Sequence, residues 1–588
     1  MSARFEVRLR TGAAREWLTF RDPTRVLRAR TPDEVVAVLQ EVERAVGADG
    51  CYAAGFVTYE AAAAFDLPVH SPEADGPPVV CFGLFSPRSV ESETKLPPPG
   101  AYRTGDWTPT IDKGTYSDAI RRIKALIEAG ETYQINFTFR LAAAFLGDPL
   151  ALLRDLDAAQ DGPCGAYVED GQYAICSASP ELLVRAHGDR IECRPMKGTA
   201  PRGLWAAADR AQRDELRSSP KNRAENVIVV DMTRNDLGRI ARTGSVEAAS
   251  LFEVERYPLQ WQMASTVRAR GSVRLAPLFE ALFPSGSVTG APKHRSMSII
   301  RDLEAGPRGI YTGAIGYLSP HGERQFSVAI RTVAIDRQRE SAEFGVGSGI
   351  VWDSVDDDEF EECRVKASIL LDRPRFSYAT GRRASFQLLE TIGWTPSGGF
   401  ALLSRHLERL ADSAACFGFE CDIPSVQALL DNAVGDLAAA AKLRVLVSQD
   451  GAIVCVGMHL NESSGRRLQI ALATEPVERK DVFLYHKTTR RDVYDRARAS
   501  RPDRDGVVLW NQDGEVTEGT EANIVVELDG IKVTPPIECG LLPGTFRAQL
   551  LADGTVIERR VTVAELRRAD NIWLINSVRG WLSAELLE

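Results

Sequence analysis

Two hydrophobic patterns interleave along this chain. Short apolar runs, among them YAICSA, AIGYLS, FSVAIRTVAI, KLRVLVSQ, VVLW, NIVVEL and NIWLIN, have the length and β-branched content of strands. Longer segments, such as SSPKNRAENVIVVDMTRNDLGRI, DDDEFEECRVKASILL and RHLERLADSAACFG, read as helices. The two patterns do not alternate with the regularity of a doubly wound sheet, so the predicted fold class is α+β, in two tandem units. Three stretches interrupt the patterning. Ser86–Trp107 is polar and proline-rich and reads as a surface loop or subdomain joint. Asp372–Ser385 is basic, lacks periodicity and follows a strong helix, which sets domains at 1–372 and 385–588 with a linker at 373–384. A weaker break lies near Arg496–Asp505.

Composition narrows the function classes. A net charge of −10 argues against general nucleic-acid or anionic-membrane binding. No apolar run reaches the roughly 18 residues of a membrane span, and the N-terminal MSARFEVRLRTGAAREW lacks a signal-peptide core. Ten cysteines are scattered without a C-x-x-C pair, and seven histidines show no metal-ligand spacing. A cytoplasmic protein without disulfides or zinc is the expectation.

The chemistry-bearing segments of the first half favour an anionic ligand. FPSGSVTGAPK leads through a Gly/Ser/Thr turn to Pro292, placed for the first turn of a helix whose free N–H groups suit an anion. FGVGSGI (Phe344–Ile350) reads as a glycine-rich strand edge whose amides approach a carboxylate. Lys221 and Glu225 lie four apart on one helix, and Glu362 and Lys366 four apart on another. Each pair alone reads as a surface ion pair. If the helices converge, their carboxylates suit a hard cation such as Mg²⁺.

The ordered segments SPELL, RPMKGTAPRG, KNRAENVIVVDMTRNDLGR, PSGSVTGAPKHRSM, GAIGYLS, AIRT, GSGIVWDS and EECRVKA resemble the chorismate-utilising synthases, a family that includes anthranilate, isochorismate, salicylate and aminodeoxychorismate synthases. The resemblance covers roughly the first 370 residues and implies a β-sandwich core with flanking helices. It implies that Glu225 and Glu362 hold Mg²⁺. It also implies that Arg331, Lys366 and the amides around Gly347 and Gly349 clamp a chorismate carboxylate, with Tyr311, Thr289 and Gly290 as further pocket residues. Position 197 separates the branches: anthranilate synthases carry alanine there and aminodeoxychorismate synthases lysine, as here. The family role of Lys197 is attack on ring C2 while the C4 hydroxyl leaves, with Glu181 as general acid/base; ammonia then attacks C4 and expels the lysine from C2. Such an amine must be free of its proton to attack. Many relatives carry histidine where this chain has Trp261 and Gln262, which leaves more of the argument on Glu181. No glutaminase signature is present, so a separate glutamine amidotransferase subunit or free ammonia is implied. GFVTYEAAAAFD (Gly55–Asp66) resembles a segment near a tryptophan pocket in some members, and equally reads as a core strand entering a helix.

The second half repeats the exercise with different residues. FLYHKTTRRDVYDRAR carries Lys487, a D-G hairpin precedes Glu518, GLLPGTFRAQLL enters a helix through glycine, and His406 and Arg409 share a helix face. In this order they resemble the class IV pyridoxal-phosphate enzymes, a two-subdomain α/β fold that includes branched-chain and D-amino-acid aminotransferases and aminodeoxychorismate lyase. The resemblance implies that Lys487 bonds the cofactor as a Schiff base and Glu518 faces its pyridine nitrogen. Arg409, Gly544, Thr545, Asn576 and Ser577 then hold its phosphate. It allows a homodimer through this domain. Paired with the first half, it implies amination of chorismate followed by loss of pyruvate to give 4-aminobenzoate, a folate precursor. The alternatives are an anthranilate-type synthase joined to a class IV aminotransferase, or one half serving as a non-catalytic docking module.

Overall fold

The computed structural model describes residues 5–11, 16–97, 100–371, 386–435, 437–460 and 465–587. The expected linker, 373–384, lies outside the described residues. Contacts divide the chain into two units: Met1–Arg202 with Gln212–Thr380, and Gly203–Ala211 with Gly381–Glu588.

The first unit is built on two antiparallel sheets, of eleven and ten strands. Val7, Phe20, Val168 and Ile175 of one sheet and Phe56, Phe85, Ile315 and Tyr317 of the other form one buried cluster, which makes the pair a sandwich. Helices Lys113–Glu128, Pro149–Gln160 and Asp356–Leu371 cover the outer face of the first sheet, through Tyr116, Leu152 and Cys363. Helices Pro32–Asp49 and Leu275–Leu282 cover the second, through Leu39 and Phe279. The sequence reading of Gly55–Asp66 as a strand entering a helix matches strand Tyr52–Val57 and the helix after it, except that the helix, Tyr59–Phe65, is of the tighter 3₁₀ kind. Pro292 stands one place outside the first turn, as the N-cap residue of Lys293–Leu303.

The second unit has two parts. Strands Leu388–Thr395, Gly399–Phe400, Ala441–Val447 and Ile453–His459 form an antiparallel sheet, and helix Leu403–Phe417 packs on it. An eight-stranded mixed sheet forms the other part, with Leu468–Leu472 parallel to both of its neighbours. Lys487 lies on an irregular stretch that follows strand Leu468–Leu472 of the eight-stranded sheet, its carbonyl accepting from the Leu389 amide at 2.9 Å.

Candidate active sites

Lys197 owes its direction to a strand irregularity. Strand Met196–Pro201 pairs with Gln260–Arg270, but Met196 stands opposite Ala264 and Thr199 opposite Gln262, so the strand carries one extra residue between them. Gly198 takes that kink at φ 103°, a conformation that other residues rarely adopt. The Gln262 side chain closes the bulge, its Nε2 donating to the Gly198 carbonyl at 2.9 Å and its Oε1 accepting from Thr199 Oγ1 at 3.0 Å. Gln262 thus stabilises the loop. The Lys197 amine emerges into a cavity of about 330 Å³.

Most of the residues singled out from the sequence line that cavity: Glu181, Lys197, Glu225, Tyr311, Arg331, Gly347, Gly349, Glu362 and Lys366. Helix Pro220–Gly238 brings Glu225 to 3.3 Å from the Lys197 amine. Helix Asp356–Leu371 brings Glu362, which pairs with Lys366 at 2.6 Å. Burial pushes the Glu362 carboxyl up, but Lys366 and Lys197 outweigh it and hold it down to about 2. Glu359, which the sequence reading passed over, lines the same wall. Arg331 donates to the Lys366 carbonyl and, at 3.1 Å, to Gln260 Oε1, and burial lowers its guanidinium to about 10. The Lys366 amine also donates to the Gly347 carbonyl at 2.8 Å.

The glycine-rich stretch is a strand edge, as the sequence suggested. It belongs to strand Ser341–Ile350, which pairs along its length with Gln134–Gly147 but with Thr332–Asp336 only as far as Phe344. From Gly345 onward the strand thus pairs on one side only, and its glycines face the cavity. A Cβ at Gly349 would stand 2.3 Å from the Lys197 amine, and one at Gly345 would overlap the Tyr311 ring.

Glu181 is buried and accepts from Ser287 Oγ at 2.5 Å and Ser285 Oγ at 3.5 Å. Burial pushes its carboxyl up to about 7, so near neutrality it is shared between acid and base forms. Thr289 and Gly290 do not line the cavity; Ser287 and Val288 do. Thr289 Oγ1 instead donates to the Ser285 carbonyl at 3.0 Å, and Gly290 packs where a Cβ would lie 2.1 Å from the Gln134 carbonyl. The N-terminus of helix Lys293–Leu303 is likewise absent from the lining, and Lys293 pairs with Asp236 at 2.6 Å.

Gln134 escaped the sequence reading. It is fully buried, neither Oε1 nor Nε2 has a hydrogen-bond partner, and its Nε2 borders the same space beside Gly349 that the Lys197 amine occupies. An unpaired buried carboxamide costs about 1–3 kcal/mol, a penalty a bound ligand could remove. It opens the strand QINFTF, whose polar positions Gln134, Asn136 and Thr138 alternate with apolar ones and are all buried.

The second site is built around like charge. Burial and the Arg409 and Arg491 guanidinium groups pull the Lys487 amine down to about 8, against Glu390 and Glu518. Glu518 is buried; it accepts from Tyr494 Oη at 2.8 Å, the Leu542 amide at 3.0 Å and Asn523 Nδ2 at 3.1 Å. Burial nevertheless pushes it up to about 7, which suits a carboxyl that faces a cationic partner. Arg409 donates from Nε and Nη2 to Glu390 at 2.8 and 2.7 Å and from Nη1 to the Pro543 carbonyl at 3.1 Å. That fixes the plane of the guanidinium and leaves two of its five donors. His406 bonds Glu390 through Nδ1 at 2.7 Å, which places the proton there, so Nε2 accepts from Ser577 Oγ at 2.9 Å and Thr545 Oγ1 at 3.2 Å. Gly544 precedes helix Thr545–Ala552 where a Cβ would lie 1.8 Å from Asn523 Oδ1. Asn576 Oδ1 accepts from the Val578 and Arg579 amides and shapes the turn that presents Ser577. Glu390, the centre of this network, was missed; it is a single polar residue at an inward position of an apolar strand, LLETIGW.

Residues 5–372 match the model of the chorismate binding enzymes, and residues 387–586 that of amino-transferase class IV. Over 270 residues the chain is 38% identical to aminodeoxychorismate synthase component 1 of Klebsiella aerogenes, covering 46% of this chain and 59% of that protein. Over 277 residues it is 39% identical to the aminodeoxychorismate synthase of Streptomyces pristinaespiralis, covering 47% of this chain and 38% of the relative. Each match thus spans less than two thirds of the relative's length. Among solved structures, anthranilate synthase component I from Streptococcus pneumoniae TIGR4 is similar, with 25% identity and a TM-score of 0.51 over 63% of this chain and 92% of that one. With the first match covering well over half of its 588 residues, the chain belongs to the chorismate binding enzymes, and an amino-transferase class IV domain follows in the same polypeptide.

Proposed function

We propose that this chain makes 4-aminobenzoate from chorismate in two steps, one in each unit. The observation that carries the reading is Lys197, set on a bulge that aims its amine into the cavity lined by Glu181, Arg331 and Lys366. In the first step Arg331 and Lys366 bind a chorismate carboxylate, and the unprotonated Lys197 amine forms a bond to ring C2. The C4 hydroxyl departs as water with the proton of Glu181. Ammonia then bonds to C4, the C2–nitrogen bond breaks, and Lys197 is regenerated with 4-amino-4-deoxychorismate released. Glu225 and Glu362 are hard oxygen donors on the cavity wall, the chemistry Mg²⁺ prefers. Among the described residues no cluster of three or more protein ligands accompanies them, so the ion would draw the rest of its shell from substrate and water. It would supply positive charge opposite the dianion. The relatives named component 1 support a separate amidotransferase as the ammonia source.

In the second unit the residues fit pyridoxal phosphate: a lysine lowered to about 8, a buried carboxyl for a pyridinium, and the two remaining Arg409 donors for a phosphate, to which the Thr545 and Ser577 hydroxyls would turn from His406 Nε2. When bound, the cofactor supplies an electron sink. Lys487 takes the C4 proton of aminodeoxychorismate, Glu518 keeps the pyridine nitrogen charged, and the enolpyruvyl group leaves as pyruvate. The test is product analysis of the purified chain given chorismate, Mg²⁺, ammonium salt and pyridoxal phosphate. 4-Aminobenzoate and pyruvate in equal amounts are expected; anthranilate as the amine product would overturn the reading.

A further inference from the structure

The segment Gly203–Ala211 lies within the chorismate-binding match, yet its contacts place it in the second unit. Its contacts include the two residues preceding Lys487. The Trp205 ring stacks on Tyr485, centroids 5.1 Å apart and planes 18° apart, and Leu204 and Trp205 pack on the cluster of Leu484, Tyr485, Tyr494 and Val507. The Leu204 carbonyl lies 3.0 Å from His486 Nε2. A carbonyl only accepts, so Nε2 carries the proton and Nδ1 accepts from Ser413 Oγ at 2.9 Å. Burial lowers His486 to about 4, which keeps the ring neutral and this polarity fixed. At the other end of the segment, Arg210 pairs with Asp412 at 3.5 Å, on the helix that also carries Ser413.

Lys487 itself stands on chain with no regular secondary structure, so its direction depends on what anchors its neighbours. Its carbonyl is held by Leu389. Tyr485 and His486 are held by Leu204 and Trp205, residues outside the class IV match at 387–586. We propose that Gly203–Ala211 is a positioning strap for the second unit, in which Trp205 and the Leu204 carbonyl clamp Tyr485 and His486 and thereby aim the Lys487 amine. The cofactor lysine is then positioned by a piece of chain supplied from within the synthase sequence.

This rests on the reading of Lys487 as the cofactor lysine, and the experiment separates the two. The full chain, stripped of cofactor, is titrated with pyridoxal phosphate across pH, following the visible band of the lysine-bound cofactor and its rate of loss on dilution. If the unaltered chain gives no band, or Lys487→Ala keeps it, the reading of Lys487 fails whatever Trp205 does. With the band in hand, Trp205→Ala and His486→Ala should each release cofactor about tenfold faster, the scale of a lost aromatic contact with its burial. The midpoint of capture should move up from about 8 toward that of an ordinary lysine. Trp205→Phe, which keeps a stacked ring, should restore both values. Where Trp205→Ala abolishes the band, Trp205→Leu, which keeps packing without the ring, is judged by the same two readouts. A band, release rate and midpoint unchanged in Trp205→Ala or Trp205→Leu overturn the strap.

Discussion

Two lysines anchor the two sites, and their surroundings are opposite. Lys197 stands on a strand bulge with Glu225 at 3.3 Å and Glu362 and Glu359 on the same wall. Lys487 stands on irregular chain with Arg409 and Arg491 raising the cost of its charge. The difference follows from the proposed partners. The first cavity must receive a metal ion and a dianion, so its wall needs carboxylates as well as cations. The second must present a free amine to an aldehyde and a cation to a phosphate, and Arg409 serves both ends. A lysine in a sequence therefore says little until the charges folded around it are known.

The largest effect that would break this pairing is on the lysines themselves. Lys197→Ala should lower aminodeoxychorismate formation on the order of 10³-fold or more, measured by coupling to an added lyase, while cofactor capture by Lys487 is untouched. Next comes Glu181→Gln, which removes the proton donor; a fall of about 10²–10⁴-fold in the first step is expected in the same assay. The pH responses should then differ in form. With free ammonia held constant, the first step should show a break near pH 7, where Glu181 changes protonation, and Glu181→Gln should remove that break. Cofactor capture should instead rise toward pH 8 and beyond, as the Lys487 amine becomes neutral. A first-step profile with no break near 7 would remove Glu181 from the account. The smallest effect is structural: Ser219 caps helix Pro220–Gly238 by accepting from the Asn222 amide at 3.3 Å, so Ser219→Ala should destabilise the first unit by about 1 kcal/mol. Thermal unfolding should show that shift with the cofactor band of the second unit unmoved.

What was legible in the sequence followed from local spacing. The i, i+4 pairs Lys221–Glu225 and Glu362–Lys366 placed their carboxylates correctly on helices, and the glycines of FGVGSGI marked a strand edge facing the cavity. The lysine in MKGT was visible, but the bulge that aims it was not, because the extra residue shows only against its partner strand. Thr289 and Gly290 were expected in the pocket from the family resemblance; here Thr289 braces the loop and Gly290 makes room for the Gln134 carbonyl. Gln134, Glu390 and the strap at Gly203–Ala211 were missed for one reason. Each acts through partners far away in sequence, Gly349, Arg409 and Tyr485 among them, and no local period encodes such contacts.

The central claim is that two lysines divide two consecutive steps. The most direct measurement follows both products of the Lys487→Ala chain supplied with chorismate, ammonium salt, Mg²⁺ and pyridoxal phosphate. The account predicts that 4-amino-4-deoxychorismate accumulates at the rate of the unaltered chain, with no 4-aminobenzoate and no pyruvate. Continued release of 4-aminobenzoate and pyruvate from that chain would contradict it.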